Sequence, residues 1–260
     1  MIKNIVKEKL KKGDTVHGIF ASNADDTQSE LLAMLGWDFL VFDGEHGFLE
    51  AKDMGNLSRT CELHQVTPIV RIPGMHPQTV NRYMDAGAHG AIFPMINSAA
   101  EAEDAIKAMK YPPRGKRGLA GPRTADFGLT APLDEYIQQA NRETLVITQV
   151  ETREAIANLD EVLGIEEIDC VFVGPTDLST NMGLCGQLDH PEVKGAIAQI
   201  AKAVAKSVKA LGIYVKDSDS ARYCRDELGA RFIATGVSFL VARGSIAYLG
   251  NLKSKGSSLK

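Results

Sequence analysis

Two carboxylates, Glu151 and Asp177, each stand at or just beyond the end of a short segment rich in β-branched residues, 144–151 and 169–174. No His-x-x-x-His pair accompanies them. Carboxylates without such partners suit a hard divalent cation that keeps several of its waters, so magnesium, manganese or cobalt fits this pair better than a structural zinc. The alternative is that each carboxylate caps the helix that follows it.

Arg71 and His46 are the other candidates for chemistry. Arg71 follows the apolar run 68–70, and a guanidinium at such a position can hold a carboxylate or an oxyanion with two parallel hydrogen bonds. An ion pair with Asp43 or Glu45 is the alternative, and both roles can hold at once. His46 lies three residues after Asp43, so we expect Asp43 to orient it as a general base.

These side chains need elements that bring them to one place. Short β-branched or aromatic runs alternate along the chain with segments of helical periodicity. The predicted strands are 15–22, 39–45, 67–72, 90–96, 144–151, 169–174, 213–216 and 232–236. The longest helical stripe runs from Val193 to Leu211. Ser98 and Glu101 predict a capping box, and Pro191 suits a first helical position.

Eight strand–helix repeats in 260 residues are typical of a single (β/α)8 TIM barrel. A doubly wound sheet usually begins with a glycine-rich turn after its first strand, and residues 21–25 contain no glycine. We therefore predict one α/β barrel domain over residues 1–260. Since a barrel places its active site at the carboxyl ends of its strands, the four candidate groups should meet there. The irregular stretch 111–132 is long enough to predict a functional loop.

Composition limits the partners. The chain has 29 Lys and Arg against 33 Asp and Glu, a net charge of −4, and a mildly acidic surface predicts binding to neither nucleic acid nor anionic membrane. Its four cysteines form no Cys-x-x-Cys pair, which predicts reduced thiols in a cytoplasmic protein. No apolar run approaches the ~20 residues of a membrane span.

Several blocks resemble one enzyme family. The segment 41–46, Val-Phe-Asp-Gly-Glu-His, resembles the Asp-Gly-Glu-His segment of the metal-dependent (class II) pyruvate aldolases of the HpcH/HpaI type, the family of 4-hydroxy-2-oxoheptanedioate aldolase and 2-dehydro-3-deoxyglucarate aldolase. Further similar blocks are 70–73, 85–95, 111–118, 149–152 and 173–179. Six blocks in the family's order, spread over roughly residues 15–250, make the resemblance specific.

The resemblance implies a divalent metal and reversible aldol cleavage of a 4-hydroxy-2-oxo acid to pyruvate and an aldehyde. It implies metal-ligand positions for Glu151 and Asp177, an enolate-stabilising position for Arg71, and an acid/base position for His46 with Asp43. The positions that would line the pyruvate site are Gln149, Gly174, Pro175 and Thr176. Family members are homo-hexamers, which implies that a C-terminal helix at about 239–252 packs on a neighbouring subunit.

Two segments depart from the family pattern. After strand 7 the family commonly has small apolar residues, whereas this chain has Tyr214-Val215-Lys216-Asp217. The loop 119–129 is unusual apart from Arg123 and Phe127. We expect both segments to face the aldehyde end of the substrate, with Arg123 as a binding residue.

Three alternatives remain open at this point. One is another metal-dependent carbon–carbon lyase on the same scaffold, acting on a thioester or an oxo-diacid. A second is a Schiff-base aldolase that uses Lys216, because a desolvated lysine can form an imine with a keto group. The third is a non-enzymatic keto-acid-binding protein, which the retention of Glu151, Asp177, Arg71 and His46 disfavours.

Overall fold

The chain forms eight parallel strands that close into a barrel in sequence order, with β8 paired to β1. The computed structural model describes residues 3–23 and 25–254, so the outermost positions of the predicted 1–260 domain lie outside the described residues. The strands are β1 Val16–Ala21, β2 Phe39–Asp43, β3 Thr67–Arg71, β4 Gly90–Phe93, β5 Leu145–Val150, β6 Cys170–Val173, β7 Ala210–Tyr214 and β8 Phe232–Gly236. The predicted (β/α)8 barrel is confirmed.

Helices fill the connections between the strands. They are α1 Ile5–Lys12, α2 Asp26–Met34, α3 Met54–Leu63, α4 Pro77–Ala86, α5 Ala99–Met109, α6 Leu133–Glu143, α7 Arg153–Ala157, α8 Leu159–Leu163, α9 Pro175–Asn181, α10 Pro191–Val204, α11 Ser218–Asp226 and α12 Val237–Ser254. The predicted cap at Ser98 is present, because its hydroxyl accepts the Glu101 N–H at 3.2 Å. The Glu101 carboxylate accepts the N–H of Asn97 at 2.6 Å. Pro191 opens α10 as predicted.

Alternate residues of each strand point into the barrel, since strand side chains alternate between the two faces. The inward set is apolar and buried; its large members include Phe39, Ile69, Ile92, Leu145, Phe172 and Phe232. The Phe39 ring needs a glycine beside it, because a Cβ at Gly18 would lie 2.1 Å from that ring. Because this core fills the barrel from below, the last inward side chains form the floor of the open end.

The predicted helical stripe from Val193 to Leu211 is too long. Helix α10 ends at Val204, and β7 begins at Ala210, three residues before its predicted start. Ser207 explains the break: its hydroxyl donates to the Val204 carbonyl and accepts the Lys209 N–H, so it competes with continued helical bonding. Val208, which fits the stripe by spacing, is 91% exposed.

The loop 111–132 also lies elsewhere than predicted. It connects α5 to α6, which precedes β5, so it belongs to the amino-terminal face of the barrel, away from the carboxyl ends of the strands. Arg123 donates to both Glu62 carboxylate oxygens at 2.8 and 2.9 Å and to the Ala86 carbonyl. Contrary to expectation, Arg123 therefore does not line the cavity of its own chain, because the loop between α5 and α6 lies at the opposite end of the barrel.

The C-terminal helix predicted at about 239–252 is present as α12, Val237–Ser254. Its apolar side chains are largely exposed in the single chain; they are Phe239, Leu240, Val241, Ile246, Tyr248, Leu249 and Leu252. Within residues 3–23 and 25–254, no helix combines the length and the hydropathy needed to cross a membrane.

Candidate active site

A cavity of about 590 Å³ opens at the carboxyl ends of the strands. Its wall includes most of the predicted site residues: Asp43, His46, Arg71, Gln149, Gly174, Pro175, Thr176 and Asp177. Glu151 lies beside it, bonded to Gln149. The barrel thus brings together groups from four separate strand ends. Arg123, as described above, is the one predicted site residue that lies apart.

Arg71 is fixed by two acidic neighbours. Its Nε donates to Asp43 Oδ1 at 2.9 Å and an Nη to Oδ2 at 2.5 Å, while Glu45 lies 3.3 Å from the other Nη. The guanidinium also lies 5.1 Å from the Phe20 ring centroid. Burial acts to raise the pKa of Asp43, but the bonds from Arg71 outweigh it and hold that pKa below its usual value. The expected ion pair is present, and the pair is rigid.

His46 is held differently from the prediction. Asp43 accepts the backbone N–H of His46 at 3.2 Å, so it fixes the loop and leaves the imidazole free. The imidazole is 62% exposed, and its Nε2 lies 3.9 Å from the Glu45 carboxylate. Asp43 therefore does not orient the ring, because its carboxylate already serves Arg71 and the turn. His46 keeps access to the cavity through its exposed ring.

Glu151 is buried, with 2% of its surface exposed. One carboxylate oxygen accepts the Met95 N–H at 2.8 Å, and the other contacts the Gln149 amide. Met95 adopts a positive φ of 55° to present that N–H, which also ends β4 at Phe93 earlier than predicted. A Cβ at Gly174 would lie 2.6 Å from Glu151 Oε2, so a glycine is required there.

The helix-capping alternative does not account for either carboxylate. Thr152, the residue after Glu151, caps α7 by accepting the Ala155 N–H at 2.9 Å. Asp177 lies in the first turn of α9, which has no side-chain cap bond. Neither carboxylate therefore caps a helix, and both remain able to bind a ligand.

The electrostatics of this rim favour a cation. Burial raises the pKa of Glu151, the bonds from Gln149 and Met95 oppose it, and the charges of Asp177 and Glu45 raise it further. The pKa of Glu45 is likewise raised, first by burial and also by Asp43 and Asp177. Two buried oxygens, Glu45 Oε2 and Gln149 Oε1, accept no hydrogen bond from the described part of the chain.

Such a donor set fits a hard divalent ion. Its oxygens come from Glu151 and Asp177 beside the cavity, and a cation there would relieve the repulsion from neighbouring carboxylates that adds to burial in raising the pKa of Glu151. Three-residue clusters of His, Cys, Asp and Glu suited to a metal are absent from the described residues, so two protein ligands would leave positions for water and substrate.

Several residues of this cavity carry no chemical signal in the sequence. The family pattern marks Tyr214 only as a departure and does not mark Phe20 or Phe172, although all three line the wall. The signal that would have found them is strand alternation, because they occupy inward positions near the ends of β1, β6 and β7. Lys216, by contrast, lies outside this cavity, 3.9 Å from Asp189 and half exposed.

Comparison with known proteins gives consistent matches. The family model HpcH/HpaI aldolase/citrate lyase matches residues 17–243. A 4-hydroxy-2-oxo-heptane-1,7-dioate aldolase from Escherichia coli is 35% identical, with 100% of this chain and 98% of that protein covered.

Solved structures agree. A HpcH/HpaI aldolase/citrate lyase family protein from Burkholderia cenocepacia J2315 superposes with a TM-score of 0.90 at 32% identity, covering 96% of this chain and 99% of the other. The citrate synthase SbnG gives a TM-score of 0.86 at 26% identity, covering 97% and 98%.

Proposed function

This chain belongs to the HpcH/HpaI aldolase/citrate lyase family and is a carbon–carbon lyase, and from that premise we propose its reaction and its site. The reaction is the reversible cleavage of a 4-hydroxy-2-oxo acid to pyruvate and an aldehyde, with a divalent metal as cofactor. The observation that carries the proposal is the pair Glu151 and Asp177 beside Arg71 at one cavity.

Glu151 and Asp177 would hold the metal, with magnesium, manganese or cobalt as the expected ions because the donors are hard oxygens. When bound, the cation would supply Lewis-acid chemistry at the keto oxygen of the substrate. Gln149, Gly174, Pro175 and Thr176 line the wall next to the two carboxylates, so they would contact the pyruvate half.

Arg71 would stabilise the charge that develops during cleavage. When the carbon–carbon bond breaks, the electron pair passes to the pyruvate fragment and negative charge accumulates on its keto oxygen. Arg71 is locked by Asp43, so it requires little reorganisation to donate a hydrogen bond to that oxygen. Donors fixed in advance are the effective ones for a developing oxyanion.

His46 would handle the proton at the other end of the bond. Cleavage requires a base to take the proton of the 4-hydroxyl, directly or through a water, as the carbonyl of the aldehyde forms. The exposed imidazole of His46 lies at the mouth of the cavity next to Glu45, and imidazole is suited to this exchange near neutral pH.

The test is a screen of cleavage and condensation with 4-hydroxy-2-oxo acids, and with pyruvate plus aldehydes, with and without added metal. We expect turnover that a chelator abolishes and magnesium, manganese or cobalt restores. Decarboxylation of oxaloacetate, which needs only the enolate half of the chemistry, should show the same metal dependence. Turnover that survives chelation and is trapped by borohydride with pyruvate would favour an imine mechanism instead.

The match to a citrate synthase keeps a thioester- or oxo-diacid-using lyase as the second candidate. Adding thioesters and oxo-diacids to the screen separates the two: condensation with a thioester and none with aldehydes would select it.

We further propose one domain over residues 1–260, a homo-hexamer and a cytoplasmic location. The exposed apolar face of α12 supports packing against another subunit, since exposed apolar patches mark interaction surfaces. The four free cysteines support a reducing compartment. Sedimentation that shows a monomer of 28.1 kDa would rule out the oligomer.

A further inference from the structure

The turn that follows β2 carries Glu45 and His46, and Asp43 fixes the backbone of this turn. Asp43 Oδ1 accepts the backbone N–H groups of Glu45 and His46 at 3.1 and 3.2 Å. The Asp43 carboxylate also accepts two hydrogen bonds from the Arg71 guanidinium. These four hydrogen bonds match the about four acceptor sites of a carboxylate. Asp43 therefore has no capacity left for the His46 imidazole.

Glu45 has the capacity that Asp43 lacks. Its Oε2 is buried, yet this oxygen accepts no hydrogen bond within residues 3–23 and 25–254. Because the atom is already covered by its own chain, a neighbouring subunit is not the source of its missing donor. A buried acceptor without a partner is costly, which favours a group of the same site that closes on it during the reaction.

Two groups that can carry positive charge approach this oxygen. An Arg71 Nη lies 3.3 Å from Glu45 Oε2 in a contact that lacks hydrogen-bond geometry, and the guanidinium cannot turn further without breaking its bonds to Asp43. His46 Nε2 lies 3.9 Å from the same oxygen, and its ring needs only a rotation about its side-chain bonds to come closer. Hydrogen bonds between catalytic groups commonly tighten when the substrate binds, so His46 is the group able to close.

A hydrogen bond from His46 Nε2–H to Glu45 would decide which ring nitrogen acts as the base. With its proton on Nε2, the imidazole carries a lone pair on Nδ1. When the bond between C3 and C4 breaks, its electron pair passes to the pyruvate fragment and the 4-hydroxyl proton passes to Nδ1, directly or through a water. The imidazolium that forms lies beside a carboxylate, which stabilises its charge.

The electrostatics of the turn agree with this pairing. Burial raises the pKa of Glu45, whereas the positive charges of Arg71 and His46 act to lower it. The charges of Asp43 and Asp177 act in the same direction as burial. A protonated His46 would therefore be stabilised by Glu45, and Glu45 by a protonated His46.

We propose that Glu45 is the positioning residue for His46: its Oε2 accepts the Nε2–H of the imidazole and directs the other ring nitrogen toward the 4-hydroxyl of the substrate. The inference rests on the proposed aldolase function and adds a residue to it. Asp43, which its spacing from His46 favours for this role, holds Arg71 and the turn instead.

The test separates the proton step from the enolate step. Glu45→Gln keeps the size of the side chain and removes its charge, so kcat for cleavage of a 4-hydroxy-2-oxo acid should fall about tenfold with KM within about twofold. Oxaloacetate decarboxylation needs no base at a 4-hydroxyl, so its rate should stay within about twofold and would show that the variant is folded. The affinity for magnesium or manganese, measured by calorimetry, should also stay within about twofold of the wild type.

A double-mutant cycle shows whether Glu45 acts through His46. Adding Glu45→Gln to His46→Ala should cause no further loss of aldol turnover, because the ring that Glu45 positions is already gone. Glu50→Gln is the matched control, since it makes the same change of charge at an exposed position of the same loop that does not line this cavity. It should change none of these rates.

An unchanged kcat in Glu45→Gln, or an equal loss with and without His46, overturns the inference and leaves the aldolase function standing. Equal damage to decarboxylation would show that Glu45 acts through Arg71, and weakened metal binding would show that it acts on the metal site; either result also overturns the inference. A wild type with no metal-dependent turnover in cleavage or decarboxylation overturns the proposed function itself.

Discussion

The two rims of this barrel carry the same kinds of charged residue and treat them in opposite ways. At the amino-terminal rim, Glu62 is bonded by His89 and Arg123; burial acts to raise its pKa, but these partners hold it at about 2. At the carboxyl-terminal rim, burial and neighbouring carboxylates raise the pKa of Glu151 and of Glu45. One rim is electrostatically compensated and the other is short of positive charge.

The difference indicates what each rim is for. Partners for buried carboxylates are available in this fold, as Lys7 shows by pairing with Asp169 at 2.9 Å near the amino-terminal rim. At the carboxyl-terminal rim, Asp43 and Glu45 share the one guanidinium of Arg71, and Glu151 is bonded only by the neutral groups of Met95 and Gln149, although like charges in a buried site cost stability. The carboxyl-terminal rim, where barrels place their active sites, is short of positive charge. Such a shortage is typical of a binding site whose ligand supplies the missing charge.

The largest effect should come from removing a carboxylate at the deficient rim. We expect Glu151→Gln or Asp177→Asn to lower turnover by about 10³-fold or more, because one remaining carboxylate holds a divalent ion too weakly. Calorimetric titration with magnesium or manganese should show no tight binding. Without metal, the midpoint of thermal unfolding of Glu151→Gln should stay the same or rise, since a buried and repelled charge has been removed; Asp177 is exposed, so Asp177→Asn should leave the midpoint unchanged.

Glu62→Gln, the same chemical change at the compensated rim, is the control and should leave metal affinity unchanged. Equally tight metal binding in the Glu151→Gln and Asp177→Asn variants would place the ligands elsewhere and remove the basis of the comparison.

Arg71 is the exception at the deficient rim, because it is a cation already held in place there. We expect Arg71→Ala to cost about 10²–10³ in turnover for both aldol cleavage and oxaloacetate decarboxylation, since both develop charge on the same keto oxygen. Arg71→Lys should not restore activity, because an ammonium cannot reproduce the two parallel bonds to Asp43. Single-turnover rates measure this; a lysine variant near wild-type rate would show that charge alone suffices.

His46 should separate the two reactions. Only aldol cleavage needs a proton taken from a 4-hydroxyl, so His46→Ala should slow that step about 10²-fold and largely spare oxaloacetate decarboxylation. His190, which caps α10 through its ring, offers a substitution of the same type outside the cavity. Equal damage to both reactions by His46→Ala would contradict this division of roles.

The sequence predicted the strands and the residues at their ends well, because both depend on local pattern. Alternation and β-branching placed eight strands, and the positional rule of the barrel then selected Arg71, Gln149 and Asp177 for the cavity. The features that the sequence did not predict depend on contacts between residues that are distant in sequence. Arg123 is bonded to Glu62, 61 residues away, and no local spacing reveals that pairing.

The role of Asp43 was missed for a similar reason. Its proximity to His46 in sequence predicted an oriented imidazole, but the strand register places Asp43 directly opposite Arg71. Arg71 on the neighbouring strand therefore pairs with the Asp43 carboxylate. His46 contacts that carboxylate only through its backbone N–H.

The smallest effect should appear at the compensated rim, as a change in stability without a change in chemistry. The pKa of Glu62 is lowered to about 2 in the folded chain from a usual value near 4.5. A carboxyl whose folded pKa is lowered stabilises the fold above the unfolded pKa and loses that contribution as pH falls toward the folded value. Partial exposure weakens such interactions, so we expect Glu62→Gln to reduce the free energy of unfolding by about 1–3 kcal/mol at pH 7. Between pH 5 and pH 2 the difference from wild type should shrink toward zero, while aldol turnover at pH 7 stays unchanged. Urea unfolding at several pH values measures this, and a difference that persists undiminished at pH 2 would show that Glu62 acts through packing, with its charge contributing little.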